Sequence, residues 1–125
     1  MSDEIAEGAA DGRAAVVALT TVDAGFDAIG MARTLVERGL ASCVNVLPGV
    51  TSVYRWENQI KADPEQQLII KTTAGRVAPL SVALHELHPY DIPEFIVLPI
   101  TGGSEKYLQY LRPGEDYLKS LKELD

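Results

Sequence analysis

A single cysteine, Cys43, stands in the 125 residues. One thiol cannot close an internal disulfide, so no oxidising compartment is implied. Cations are also scarce: Lys and Arg total 11 against 18 Asp and Glu, for a formal net charge of −7. That shortage argues against nucleic acid, because binding a phosphate backbone draws on clustered Lys and Arg. No apolar run is long enough to cross a bilayer, so no membrane partner is expected. The first residues, MSDEIAEGAADGR, lack the basic-then-apolar pattern of a secretory leader, and a cytoplasmic location is the default expectation. A phosphate-cradling glycine motif, a nucleophile elbow and a Ser-His-Asp signature are all missing. Gly102-Gly103 therefore reads as a turn. No enzyme is expected, and no obligatory cofactor.

What remains is ordinary globular material, 46% hydrophobic and 23% charged. The length suits one domain. Residues 1–13 are acidic and rich in small side chains and read as a disordered tail. Residues 14–125 read as a single domain.

The elements follow from periodicity and punctuation. Ala14 to Thr21 is a β-branched apolar run and predicts a buried strand. Asp23 is positioned to cap a helix in which Phe26, Ile29, Arg33 and Val36 share a stripe, with Ala32 and Leu35 beside it. Gly39 ends that helix. Ser42 to Leu47 and Val50 to Trp56 are extended, joined by Pro48-Gly49 as a bend or bulge. Asn58 to Pro64 reads as polar turn, and Gln67 to Thr73 as the next strand. Val77, Leu80, Leu84 and Leu87 mark a second helix; Pro79 requires it to start late, so that proline falls in the first turn. Phe95 to Ile100 is a fourth strand. Ser104 caps a short helix carrying Tyr107, Leu108 and Leu111, and Asp116 to Leu124 forms a further helical stretch. This order predicts an α+β, ferredoxin-like βαββαβ antiparallel sheet with its helices on one face, an extended hairpin and a helical tail.

Several residue types could carry chemistry. Cys43 is a soft thiolate suited to copper or zinc, or a small buried core residue. His88 stands where the second helix meets Pro89, with Asp91 and Glu94 close by. A neutral imidazole is a common metal ligand, and such carboxylates ligate or orient it. The same loop is equally described as His88, Tyr90 and Glu94 held together by hydrogen bonds. No closed zinc spacing is present, so a metal site would be open, shared or weak. Lys71 ends a buried strand and either reaches water or pairs with Glu94 or Glu57. His85 lies off the apolar stripe and reads as solvated. Tyr54, Arg55 and Trp56 lie on a protruding hairpin and suit an oligomer interface, or else cover the domain's own sheet.

Two segments are distinctive: GLASCVNVLPGVTSVYRWE from Gly39 to Glu57, and LHPYDIPEFIVLPI from Leu87 to Ile100. In that order they resemble the CutA divalent-cation tolerance family, over nearly everything from Ala14 to about Leu111. The resemblance implies a homotrimer in which the hairpin pairs with a neighbouring subunit, non-enzymatic and responsive to metal ions. Copper or another divalent cation is the implied ligand, with Cys43, His88 and Glu94 as candidate metal residues. The family commonly has Glu where this chain has Asp91, so that position carries over least safely. A second implication comes from the likeness of ferredoxin-like trimers to PII signalling proteins. There Trp56, Lys71, Tyr90 and Asp91, with His88 and Glu94, would line an inter-subunit cleft for a small effector. A third is a structural or partner-binding trimer without a ligand.

Overall fold

The computed structural model describes residues 12–112. Its elements are β1 (Ala15–Asp23), α1 (Ala28–Glu37), β2 (Cys43–Trp56), β3 (Gln59–Thr73), a 3-10 turn (Ala74–Arg76), α2 (Val77–Leu87), β4 (Ile96–Pro99) and α3 (Glu105–Leu111). The strands lie in the order β2-β3-β1-β4, and every neighbouring pair is antiparallel. This is the ferredoxin-like α+β fold. The helical stretch expected at Asp116 to Leu124 lies outside the described residues.

Strand register sorts the side chains onto two faces, because residues directly opposite in a ladder share a face. Val44, Ile70 and Ala18 form one row, and Val46, Leu68 and Thr20 the next. This face packs on Met31, Ala32 and Leu35 of α1 and on Leu80, Ala83 and Leu84 of α2. Leu35, Leu68, Ile70, Leu80 and Leu84 are wholly buried. Each such side chain stabilises the fold by roughly 1.5–3 kcal/mol relative to exposure.

The opposite face carries Cys43, Lys71, Val17 and Leu98 in one row, and Asn45, Ile69, Leu19 and Ile96 in the next. Neither α1 nor α2 reaches it. Only α3 approaches, at the Lys71 end, through Tyr107 and Tyr110. Leu47, Ile96 and Leu98 are therefore exposed.

Two expectations about α1 are corrected. Its cap is Asp27, whose carboxylate accepts from Gly30 N at 2.9 Å. Asp23 instead ends β1, and its carboxylate accepts from Gly25 N at 3.0 Å within the turn. The buried edge is Ala28, Met31, Ala32 and Leu35, while Ile29 and Val36 face outward beside Arg33. Two alanines on the inner edge let the helix seat closely on the sheet, and the arginine marks the outer stripe. The helix ends as expected: Gly39 has φ +74°, Gly39 N donates to Val36 O, and Leu40 N donates to Leu35 O.

β2 is one strand, broken in register between Leu47 and Val50, where Pro48-Gly49 forms the expected bulge and Gly49 takes φ +78°. The expected turn over Asn58 to Pro64 is not there. Only Glu57 and Asn58 turn, both with positive φ, and β3 begins at Gln59 opposite Trp56. Two consecutive left-handed residues make a type I′ turn, which matches the twist of the strands it joins. Pro64 is tolerated because β1 pairs with β3 only up to Glu65, so β3 is an edge strand on that side beyond it. Pro79 is the third residue of α2, in the first turn as expected, and Ser104 caps α3 by accepting from Tyr107 N.

Candidate functional site

The loop between α2 and β4 holds the most closely organised polar cluster. α2 stops at His88, whose ψ of 137° is extended, as required of a residue that precedes proline. The stop turns the imidazole inward, where it is only 8% exposed. Its Nε2 lies 2.9 Å from the Thr21 carbonyl and 3.0 Å from the Thr20 hydroxyl oxygen. Its Nδ1 accepts from Tyr90 N at 3.1 Å. A backbone amide can only donate, so Nδ1 carries no proton and the ring is the neutral Nε2–H tautomer. Burial pushes the imidazole below its ordinary value, aided by His85; the Thr21 carbonyl and Glu65 oppose it.

Tyr90 lies against this ring, centroid to centroid 4.9 Å. Its hydroxyl donates to Glu65 Oε2 at 2.6 Å. Burial, and then the Glu65 bond, push the phenol well above its ordinary value. Glu65 is buried at the base of the hairpin, opposite Asp23 in the β1–β3 register. Sequence reasoning missed Glu65. It sits beside a stretch read as turn, and nothing in its spacing marks it.

The other site candidates lie elsewhere. Lys71 is half-buried on the open face, with its ammonium 3.3 Å from the Tyr107 hydroxyl and 5.6 Å from that ring's centroid. Its partner is thus an aromatic, where Glu94 or Glu57 was expected. Cys43 stands opposite Lys71 and is half-buried. Tyr54 donates to Asp63 along the exposed hairpin, and Trp56 is 48% exposed beside the turn. Asp91 is exposed and Glu94 half-buried, while His85 bonds back to Ser81 O at 2.7 Å on the solvent side of α2.

Distances along the sheet decide which of these can act together. Trp56 faces Gln59, so Lys71 lies twelve residues along β3 from it. At about 3.3 Å per residue that is roughly 40 Å, and one chain cannot close a pocket on both. Thr21 faces Gln67, which places His88 about 13 Å along the strand from Cys43's partner Lys71. Among the described residues, no group of three or more His, Cys, Asp or Glu side chains converges to hold a metal ion. The structure joins His88, Tyr90 and Glu65. It does not join Cys43, His88 and Glu94 within one subunit.

Comparison with known proteins bears directly on this arrangement. The profile described as CutA1 divalent ion tolerance protein matches residues 16–113. The chain belongs to the CutA1 family. The Arabidopsis thaliana relative "Protein CutA, chloroplastic" is 49% identical over 82 residues, covering 66% of this chain and 45% of that protein. The Thermus thermophilus divalent-cation tolerance protein CutA is 44% identical over 96 residues, covering 77% and 93%. This chain thus spans about half of some CutA relatives and nearly all of others. The solved Thermus thermophilus divalent cation tolerance protein (Cut A1) superposes with a TM-score of 0.75 at 43% identity, covering 78% of this chain and 95% of that one. As in the sequence, no described helix of this CutA1-family chain is long and apolar enough to cross a membrane.

Proposed function

We propose that this chain works as a non-enzymatic homotrimer of the divalent-cation tolerance type, in the cytoplasm, binding copper or other divalent cations weakly. The observation that carries the proposal is the open face of the sheet. Helices α1 and α2 cover one face only, and the other presents Val17, Leu19, Ile69, Ile96 and Leu98. Apolar surface of that kind, next to an exposed hairpin bearing Tyr54, Arg55 and Trp56, is stabilised by burial against other subunits. The number three is what the family resemblance implies.

Metal binding of this kind draws on groups that the chain leaves unengaged. Cys43 projects from the open face and Glu94 makes no hydrogen bond among the described residues. His88 is engaged at both ring nitrogens, so it acts here as a positioning residue. A complete ligand set therefore comes from more than one subunit, and its affinity is below that of a closed structural zinc site. One observation favours the effector reading beside it. The Lys71 ammonium has an aromatic partner but no carboxylate, and a neighbour's hairpin tip could bring Trp56 to it. A small anion would suit that cleft.

Light scattering at micromolar concentration should return close to three times the 13.5 kDa chain mass. A monomer would overturn the trimer and any site shared between subunits. Calorimetric titration of the trimer with copper(II) should show weak binding that Cys43→Ser reduces. Unchanged affinity in that variant would remove Cys43 from the site.

A further inference from the structure

We propose that His88 is an acid-sensitive latch. In its neutral form it ties the α2–β4 loop to β1 and, through Tyr90, to the base of the β2–β3 hairpin. This holds within a single subunit and does not rest on the trimer or on metal.

The latch follows from which atoms donate. Nε2–H can donate to Thr21 O at 2.9 Å and faces Thr20 Oγ1 at 3.0 Å. Nδ1 accepts from Tyr90 N at 3.1 Å. A second proton on the ring falls on Nδ1, where it meets the Tyr90 amide proton, so that two donors face each other. The bond that fixes the loop at Tyr90 is then lost. Tyr90 is also the loop's only printed link to the hairpin, through its 2.6 Å bond to Glu65. Opening at Tyr90 therefore releases both ends at once. β4 follows this loop directly and pairs with β1 over only four residues, Ile96 to Pro99. It has little else to hold its start.

The surroundings favour the neutral ring. Burial among β1, α2 and the loop disfavours charge, and His85 on α2 adds a like charge when protonated. Glu65 on β3 acts the other way, as does the Thr21 carbonyl. Asp23 ends β1 opposite Glu65, and its charge is felt at Tyr90. The balance is a ring that charges less readily in the closed loop than in the open one. The closed state thus binds fewer protons. Its advantage is complete above about pH 6.5, the ordinary imidazole value, and declines as pH falls towards the depressed closed-state value.

The test is amide hydrogen exchange by NMR on the intact protein, from pH 7.5 to 5.0, corrected for the intrinsic pH dependence of exchange. Protection at Tyr90 should fall as pH drops, approaching about 30-fold at pH 5. That is the limit set by an open-state imidazole titrating near 6.5. Amides in the centre of β3, such as Leu68, should keep their protection. His88→Gln retains a donor and cannot titrate, and its Tyr90 protection should be flat over the same range. Tyr90→Phe should keep the pH response at residue 90 and uncouple Glu65 from it. A Tyr90 amide that stays protected to pH 5 in the unmodified protein overturns the proposal. So does an equal loss of protection in His88→Gln. Should that variant fail to fold, the ring resonances of the unmodified protein decide. A His88 that titrates at or above 6.5, or titrates without any change at Tyr90, overturns the latch.

Discussion

Arg76 shows how much one side chain can organise. Its guanidinium donates to the Leu111 carbonyl at 2.7 Å, the Ser42 hydroxyl at 3.0 Å and the Gly39 carbonyl at 3.3 Å, while Nε donates to Thr73 Oγ1. It thereby joins the ends of α1 and α3 to the start of β2. Burial lowers its ordinarily very high pKa, yet it is still charged at any working pH. Arg76→Leu leaves those acceptors without a donor, and hydrogen bonds to charged groups contribute about 1.5–3 kcal/mol each. The expected loss is about 2–3 kcal/mol in urea denaturation at fixed protein concentration. Arg76→Lys should recover part of it, since an ammonium reaches fewer of these acceptors. At this scale the sequence was informative about identity and silent about partners. The His88-Pro89-Tyr90 run stood out because proline stops the helix there. That His88 faces Thr20 and Thr21, 68 and 67 residues away, is a product of the β1–β4 crossover. No local pattern encodes it. Glu65 was invisible for the same reason, because its meaning lies in Tyr90 across the sheet.

Elements were legible where local signals and tertiary packing agree. Gly39, Pro48-Gly49, Pro79 and Ser104 each impose a backbone geometry that the fold uses, and each was read correctly. The failures came where a partner overrides propensity. Asn58, Asp63 and Pro64 are poor strand residues, yet the β2 ladder from Thr51 to Trp56 holds them extended. Similarly, the wide apolar pattern of α1 allowed two faces, and the small side chains rather than the large ones proved to be inside. The hairpin yields a prediction of its own. Glu57 occupies φ 51°, a region that disfavours ordinary L residues, and Asn58 follows at φ 64°. Replacing the pair by Asn-Gly, which suits a type I′ turn, should stabilise the protein by about 1 kcal/mol. The expected sign is a higher melting temperature with unchanged oligomeric mass. A decrease would show that Glu57 makes a contact with another subunit worth more than the turn strain.

For the molecule as a whole, the two exposed apolar surfaces make opposite predictions. Ile29, Val36 and Val82 lie on the outer sides of the helices, and Ile96 and Leu98 lie on the open sheet face. Both sets are exposed in one chain, so exposure alone does not distinguish them. Arrangement does. Ile96 and Leu98 continue rows that run across the sheet through Leu19 and Ile69, and through Val17, to Asn45 and Cys43. The helix residues are separated by Arg33 and charged neighbours. Scattered apolar side chains are normal on a surface, whereas a continuous apolar sheet face is not. The double variant Ile96→Lys, Leu98→Lys should therefore lower the sedimentation mass from three chains towards one. Its melting temperature should also become less dependent on protein concentration, since assembly no longer adds to stability by mass action. Ile29→Lys combined with Val82→Lys should leave both properties as they are. If the helix variant dissociates the protein and the sheet variant does not, the interface lies on the helical layer. The open face would then be covered by something other than a second copy of this chain.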